Sequence, residues 1–244
     1  VSPHPVDPPR RSAPVLRVRY TRCGGSHADM SDQEDPLSTH DRLPPASNRL
    51  PQAFFARPVL EVARDLIGCT FLFRGAGGRI VEVEAYRQDD PCCHGHRGKT
   101  ARNAGLFGPP GRLYVYFTYG MHFCANVVCE ADGVAAGVLL RALVPEYGLE
   151  EMIGRRGVTE PRLLTSGPAR LAQALGIDRS HGDLPVWSPP LAVLPRPSGA
   201  PDPEVVTTAR IGVRGGDQRP WRFVDSGSRF LSRPLSRTPL LPSG

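Results

Sequence analysis

The chain has 244 residues, of which 40% are hydrophobic and 22% charged, and these proportions are ordinary for a globular protein with one substantial core. Its sequence contains no run of about 18 apolar residues and no segment typical of a secretory signal, so we expect neither a membrane-spanning helix nor a membrane partner. The formal net charge of +6 favours a polyanionic partner, because clustered cationic side chains gain affinity when they displace counterions from phosphates.

Residues 1–52 are rich in Pro, Arg, Ser and Asp and show no sustained apolar period, so we expect a disordered N-terminal tail. Up to Leu50 this tail carries seven arginines against six acids, which leaves most of the positive charge on the rest of the chain. The first methionine is Met30, which raises a second interpretation in which translation begins there. We expect a folded domain over residues 53–234 and a flexible C-terminal tail over 235–244.

The first predicted elements are a helix and a β-hairpin. Apolar residues from Val59 to Ile67 recur at helical spacing, and Gly68 stands where a helix commonly ends. Residues 69–73 and 79–86 are typical of two paired strands separated by a glycine-rich turn. The glycines of that turn are Gly75, Gly77 and Gly78.

The later elements complete a mixed domain that is largely antiparallel. The apolar pattern predicts three further strands, over residues 113–119, 123–129 and 134–142. Two helices follow, over residues 148–155 and 166–175. The proline-rich stretch 185–203 is predicted to be an irregular surface connection, and residues 209–230 are predicted to return to the sheet. We therefore expect an α+β fold with one mainly antiparallel sheet flanked by helices.

The predicted strand over residues 79–86 carries two carboxylates. Glu82, Glu84 and Tyr86 share one face, because successive side chains of a strand point to opposite sides of the sheet. A carboxylate near a strand end can be enclosed by the following loop and serve as a catalytic group. A solvated strand face is the simpler explanation of this pattern taken by itself.

Two further stretches contain side chains that their surroundings do not explain. Residues 114–126 are dense in aromatic side chains, which at strand spacing are more often core than functional. Arg141 interrupts an otherwise apolar strand, where a guanidinium is costly to bury without an anion or another acceptor. Arg141 is therefore predicted to have such a partner, either in a structural salt bridge or in a functional site.

One short segment contains four side chains that bind metals in other proteins: Cys92, Cys93, His94 and His96. Adjacent cysteines without a second Cys-x-x-Cys pair fit poorly with the tetrahedral spacing of a zinc site, so we expect no metal. The six cysteines of the chain also lack the spacing of a small disulfide-bonded fold, and we expect reduced thiols.

Five motifs follow one another along the chain: Glu82-Val-Glu-Ala-Tyr86, Thr100-Ala-Arg-Asn103, Tyr114 to Met121, Leu139-Leu-Arg-Ala142 and Ser166-Gly-Pro168. Together they resemble the alkyladenine (3-methylpurine) DNA glycosylase family, and the resemblance extends from about Phe54 to the region of Ser232. This ordered set is highly specific. It implies a single-domain fold with a curved antiparallel sheet. It also implies hydrolysis of the bond between a damaged purine and its sugar, with no metal and no cofactor.

The resemblance implies catalytic roles for two residues. Glu84 lies at the family's general-base position, where it would hold a water against the sugar carbon and offset the positive charge that develops there. Arg141 would position that carboxylate and the water. Glu82 lies two residues away on the same strand face and is the rival base, but we expect a structural role for it.

The resemblance also implies a pocket for a nucleotide that has been turned out of the duplex. Tyr86 and Tyr116 would stack on the two sides of the flipped base, and His94 would lie near the sugar. Because the chain is one residue shorter than the usual pattern in this region, His96 is the alternative pocket histidine. Asn126 would screen bases by their exocyclic groups.

Contacts to the DNA duplex are implied at Tyr119, which would wedge into the base stack, and at the backbone-contacting residues Lys99, Thr100, Arg102 and Ser228. Lys99 is the only lysine of the chain, so we expect no Schiff-base nucleophile and no strand cleavage. The implied partner is double-stranded DNA that contains damaged purines. We expect a monomer in the cytoplasm, associated with the nucleoid if the protein is bacterial.

Two alternatives from other classes stay open. A non-catalytic module would bind and flip damaged bases without cleaving them, although the retained Glu84 and Arg141 argue against it. A small-molecule enzyme would use Glu82 and Glu84 as an acid–base pair on a glycoside, although Tyr119 and the positive charge argue against it. The preference among damaged purines is also left open by the sequence.

Overall fold

The protein is described by a computed structural model over residues 43–118, 120–213 and 219–235. In this part of the chain a curled sheet of eight strands is flanked by helices, which confirms the predicted α+β class. The strands are β1 (Thr70–Phe73), β2 (Ala76–Arg87), β3 (Leu113–Thr118), β4 (His122–Val128), β5 (Ala136–Tyr147), β6 (Leu191–Leu194), β7 (Val205–Thr208) and β8 (Arg222–Asp225). The helices are α1 (Gln52–Phe55), α2 (Val59–Leu66), α3 (Leu149–Arg156), α4 (Pro161–Thr165) and α5 (Pro168–Leu175).

All strand pairs are antiparallel, in the order β3-β4-β5-β2-β1-β6, and β7 joins through β8, which pairs with β2. The long strand β2 is central. One edge of β2 pairs with β5, while its other edge pairs first with β1 and then, from Glu82 to Glu84, with β8. The register between β2 and β5 shifts around Glu82, a β-bulge that re-aims the side chains next to it.

The predicted helices form where the apolar periodicity placed them. Helix α2 begins after Pro58 and buries Val59, Val62, Ala63 and Leu66. Helix α5 ends at Gly176, whose φ of 71° is the left-handed conformation that commonly terminates helices. The buried residues of α2, α3 and α5 belong to the same hydrophobic cluster as the inward side chains of the sheet. These helices therefore cover one face of the sheet.

The predicted hairpin of β1 and β2 forms with a tighter turn than expected. Arg74 and Gly75 make the turn with φ values of 51° and 79°, whereas Gly77 and Gly78 lie inside β2. A Cβ atom on Gly78 would come within 1.9 Å of the backbone oxygen of Val144 on β5. Gly78 is therefore required for the close approach of two strands and not for the turn.

The prediction of an irregular connection over residues 185–203 is wrong in one part, because β6 lies within it. This strand pairs with β1 and buries Leu191, Ala192 and Val193. Four residues between prolines are too few to show a strand period, so only the pairing with β1 defines them. Helix α4 has five residues and was not predicted for the same reason.

The folded part extends further toward the N-terminus than residue 53. The guanidinium of Arg49 donates to the carbonyl of Pro44 at 2.7 Å, and the N–H of Leu50 donates to the carbonyl of Val193 at 2.8 Å. The end of the expected tail thus contacts β6. No helix in the described ranges is long and apolar enough to cross a membrane.

The close approach at Gly78 gives a test of the sheet. Gly78→Ala is expected to lower the free energy of unfolding by about 2–3 kcal/mol, because a methyl group would collide with the backbone of β5. Gly154→Ala is the matched control. Gly154 lies in α3 with open space around it, so alanine there should raise the free energy of unfolding by about 0.5–1 kcal/mol. Urea unfolding of both variants measures these changes, and equal effects would contradict the assigned role of Gly78.

Candidate active site

Two carboxylates lie fully buried near the middle of the sheet. Glu82 and Glu84 are both on β2 and have no solvent exposure, which is unfavourable unless charges and hydrogen bonds compensate. Arg141 on the neighbouring strand β5 provides this compensation. Its Nε donates to Glu82 Oε1 at 2.8 Å, and its Nη1 donates to Glu84 Oε2 at 3.1 Å. The anion expected for Arg141 from the sequence is therefore a pair of carboxylates.

The Glu82 carboxylate is surrounded by donors. Besides Arg141, it accepts from Arg222 Nε at 2.9 Å, and from both the N–H and the hydroxyl of Ser232 at 2.6 Å. Burial would raise the pKa of Glu82, but Arg222, Arg141 and Ser232 together bring that pKa below its ordinary value of 4.5. With all these donors directed at it, Glu82 is suited to a structural role and not to proton transfer.

The Glu84 carboxylate has a different set of partners. Glu84 Oε2 accepts from the hydroxyl of Tyr86 at 2.9 Å as well as from Arg141, and Oε1 accepts from the N–H of Ile211 at 2.7 Å. Burial, followed by the charge of Glu84, raises the pKa of Tyr86, so the phenol keeps its proton and acts as donor. Glu84 is thus connected to an aromatic ring and to a loop that also line a pocket.

This pocket has a volume of about 310 Å³ and is lined by residues of β2, which carries the two carboxylates, and of β3, β4 and β5. Its lining includes the four predicted base-pocket residues Tyr86, His94, Tyr116 and Asn126, together with Tyr114 and Leu106. The ring of His94 lies 4.4 Å from that of Tyr116, measured between centroids, and its Nδ1 is 3.1 Å from the hydroxyl of Tyr114. Four aromatic rings therefore line the pocket, those of Tyr86, His94, Tyr114 and Tyr116.

The structure separates the two candidate histidines. Both side chains are exposed, but only His94 lines the pocket. His96 has its Nδ1 3.1 Å from the carbonyl of Gln88 and does not belong to the lining. Partial burial, with a smaller effect from the charge of Arg102, lowers the pKa of His94 below its ordinary value of 6.5. The imidazole of His94 is therefore neutral at pH 7.

Asn126 lies at the buried end of the pocket. It is on β4, and its Nδ2 donates to the carbonyl of Tyr114 on β3 at 3.2 Å, which fixes the orientation of the amide. Gly137 on β5 lies beside it, and a Cβ atom there would come within 3.0 Å of Leu106. The absence of a side chain at Gly137 leaves space in front of the Asn126 amide.

The predicted backbone-contacting loop is exposed and organised by Asn103. Lys99, Thr100 and Arg102 are all exposed. The Asn103 amide donates to the carbonyl of His94 at 2.8 Å, and its oxygen accepts from the N–H of Thr100 at 2.6 Å and from the Thr100 hydroxyl. Asn103 thereby couples this loop to the pocket histidine, a role that the sequence motif did not reveal.

The remaining predicted DNA contacts lie on two other segments. Tyr119 falls outside the described residues, but its neighbours Phe117 and Met121 are 41% and 68% exposed and form an apolar tip between β3 and β4. Ser228 is half-buried after β8, and its hydroxyl accepts from the N–H of Phe230 at 3.2 Å. In the described ranges no group of three His, Cys, Asp or Glu side chains is arranged to hold a metal ion.

The comparison with protein families gives one match, and it covers most of the chain. The profile described as methylpurine-DNA glycosylase matches residues 53–229. The chain belongs to the methylpurine-DNA glycosylase family. The resemblance recognised from the five motifs is therefore confirmed.

Curated relatives agree with this membership. A protein of Rhodopseudomonas palustris (strain HaA2) is 54% identical over 76% of this chain and 91% of its own length. One of Nitrobacter winogradskyi is 52% identical over 84% of this chain and 94% of its own length. One of Nitrosospira multiformis is 47% identical over 76% of this chain and 94% of its own length. All three carry the name "Putative 3-methyladenine DNA glycosylase".

Some residues around the site of this methylpurine-DNA glycosylase family member were missed by sequence reasoning. They are Asp90, Arg210, Ile211, Arg222 and Ser232, which surround the two carboxylates or the rings next to them. Arg222 gave a weaker signal than Arg141, since its strand is the four residues Arg-Phe-Val-Asp, of which only two are apolar. Ile211 contributes only its backbone N–H, which no residue pattern could have indicated.

The lowered pKa of Glu82 predicts how stability depends on pH. A carboxyl whose pKa is lower in the folded state stabilises the fold above about pH 4.5, and this contribution is lost as the pH falls through the folded pKa. Glu82→Gln should lower the free energy of unfolding at pH 7 by about 3 kcal/mol or more. It should also flatten the loss of stability of the parent protein below pH 4.5.

Urea unfolding between pH 7 and pH 3 measures both effects. Glu146→Gln is the matched control, because Glu146 is partly exposed and pairs with Arg79 only at 3.4 Å. It should change the free energy of unfolding by about 0.5 kcal/mol or less. A Glu82→Gln variant as stable and as acid-sensitive as this control would contradict the role given to Glu82.

Proposed function

We propose that the protein is a monofunctional DNA glycosylase that excises alkylated or deaminated purines from double-stranded DNA by base flipping and hydrolysis of the N-glycosidic bond. The substrate class includes 3-methyladenine, 7-methylguanine, hypoxanthine and ethenoadenine. Membership of the family supports the general activity. The observation that carries the mechanism is the Glu84 carboxylate, which is linked through the Tyr86 hydroxyl to an aromatic pocket.

Glu84 acts as the general base in this mechanism. As the bond between the sugar carbon and the purine nitrogen breaks, its electron pair leaves with the base and positive charge develops on the sugar. The Glu84 carboxylate offsets that charge and takes a proton from the water whose oxygen bonds to the sugar carbon. Glu84 and Glu82 keep the Arg141 guanidinium charged against the effect of burial on its pKa, and Arg141 in turn holds the Glu84 carboxylate in place.

The pocket selects bases by stacking and charge. The rings of Tyr86 and Tyr116 would enclose the base, and stacking of this kind contributes about 1–3 kcal/mol per base. A cationic alkylated purine gains on the order of 1 kcal/mol more from electron-rich rings. His94 is neutral at pH 7 and so does not repel such a cation.

Asn126 is proposed to exclude normal guanine. Its amide is fixed by Tyr114 and lies beside the space kept open by Gly137. A guanine amino group placed against the fixed amide would be left without a partner, at a cost of about 1–3 kcal/mol. Lesions without that amino group would escape this penalty.

The DNA is proposed to bind across the exposed loop and the β3–β4 tip. Lys99, Thr100 and Arg102 provide cations and a hydroxyl for phosphates, Ser228 would contact the backbone, and Tyr119 would fill the gap left by the flipped base. Lys99 lies on the exposed loop and not in the pocket lining, so it does not serve as a Schiff-base nucleophile. The protein is proposed to act as a monomer in the cytoplasm.

Replacement of Glu84 tests the hydrolase directly. Duplexes bearing one hypoxanthine, one ethenoadenine or one methylated purine are incubated with protein and then treated with heat and alkali, which cleave the strand at abasic sites. Glu84→Gln should lower the rate of base release by about 100-fold or more, whereas Glu146→Gln should leave it unchanged. Without heat and alkali the strand should stay intact. If neither the parent protein nor Glu84→Gln releases a base but both bind the damaged duplex, the protein is a binding module.

Replacement of Asn126 tests selectivity. Asn126→Ala should raise the excision of normal guanine relative to hypoxanthine by about tenfold, because the unpartnered amide no longer opposes the guanine amino group. The hypoxanthine rate of the same variant serves as the internal control. An unchanged ratio of the two rates would show that selectivity arises elsewhere in the pocket.

A further inference from the structure

A second buried ion pair lies beside the pocket, separate from the carboxylate pair of β2. Asp90 and Arg210 contact each other with side chains that have no solvent exposure. Each also holds a backbone group. Arg210 Nη1 donates to the carbonyl of Ala85 at 3.0 Å, and Asp90 Oδ1 accepts from the N–H of Cys92 at 2.9 Å. A buried pair of this kind is costly to form, which favours a specific role over a general contribution to stability.

The pair joins two walls of the pocket. Asp90 begins the loop that contains Cys92 and His94, and both of these residues line the pocket. Arg210 directly precedes Ile211, whose N–H donates to Glu84. The next residue, Gly212, lines the pocket. The Asp90–Arg210 pair therefore sets the distance between the histidine loop and the segment that contacts the catalytic carboxylate.

Arg210 also lies behind the ring of Tyr86. Its guanidinium carbon is 4.5 Å from the centroid of the Tyr86 ring and 5.3 Å from that of Trp221. Tyr86 lines the pocket whereas the Arg210 side chain is fully buried, so the guanidinium occupies the face of the ring turned away from the pocket. A planar guanidinium between two rings restricts Tyr86, whose hydroxyl donates to Glu84.

We propose that Arg210 is a positioning residue for catalysis. Held by Asp90, it fixes two of the three donors to Glu84, the Tyr86 hydroxyl and the Ile211 N–H, and so keeps the carboxylate oriented. This inference rests on the proposed function of Glu84. It assigns to Arg210 no contact with the substrate.

Several groups face Glu84 from the neighbouring strands. They are Tyr86 on its own strand, Arg141 on β5, the Tyr116 phenol on β3 and the Cys124 thiol on β4. Arg222 on β8 lies opposite Glu84 but donates to Glu82. Loss of the Ile211 N–H would therefore remove one of the three donors that orient the Glu84 carboxylate and would leave Arg141 in place.

Arg210→Lys is the decisive variant, with Arg210→Met as the second. Lysine keeps a cation for Asp90 but lacks the planar fork that reaches Ala85 and stacks on Tyr86. The single-turnover rate of hypoxanthine release should fall about tenfold in Arg210→Lys, and further in Arg210→Met, while the affinity for the damaged duplex changes little.

Arg219→Lys is the matched control. Like Arg210, Arg219 lies near Asp90 and Trp221: its Nη1 is 3.8 Å from Asp90 Oδ1, and its guanidinium carbon is 4.8 Å from the centroid of the Trp221 ring. Unlike Arg210, it is partly exposed. The single-turnover rate of Arg219→Lys should match that of the parent protein. Thermal unfolding is recorded for each variant, and rates are taken at temperatures where each is folded.

Amide hydrogen exchange at Ile211 gives a readout that needs no activity. The Ile211 N–H should exchange slowly in the parent protein and in Arg219→Lys, and faster in both Arg210 variants. Parent-like exchange and rates in the Arg210 variants would overturn the proposal, as would a loss of rate that only follows the loss of stability. If the parent protein releases no base, the proposed function fails, and the exchange result alone then decides whether Arg210 positions Glu84.

Discussion

The guanidinium of Arg141 lies between two carboxylates that the sheet buries completely, and the arrangement of the site follows from this contact. Two like charges on alternate residues of one strand would be strongly unfavourable in a dry environment. Arg141 on β5 interacts with both, and Arg222 on β8 provides a second cation. The strands on either side of β2 therefore contribute one arginine each, and the central sheet is held together where it is most polar.

The two carboxylates differ in their donors and not in their burial. Glu82 is bonded by two arginines and by Ser232, all of which belong to the sheet or to the chain that closes over it. Glu84 shares Arg141, but its other donors are the hydroxyl of Tyr86, which lines the pocket, and the N–H of Ile211, which directly precedes Gly212 in the pocket lining. A change at the pocket can therefore reach Glu84 directly. Glu82 is isolated from such changes, which suits it to hold Arg141 in place.

Much of this site was predictable from local pattern, and the limit of prediction has a physical cause. Strand alternation placed Glu82, Glu84 and Tyr86 on one face, and the cost of burying a lone Arg141 required an anion. Local pattern could not separate Glu82 from Glu84, because their difference lies in Arg222, Ser232 and Ile211, more than 120 residues away in the chain. The same applies to β6, whose four residues become a strand only through β1.

The charge balance of the cluster also bears on the proposed substrate. Glu82 and Glu84 carry two negative charges, and Arg141 and Arg222 carry two positive ones, so the buried cluster has no net charge. A pocket with a net negative charge would repel the phosphates that must approach the loop of Lys99 and Arg102. With the charges balanced, a cationic purine is attracted mainly by the faces of Tyr86 and Tyr116. The Glu84 carboxylate then acts mainly at close range, by electrostatic attraction to the positive charge that is proposed to develop on the sugar as the base departs.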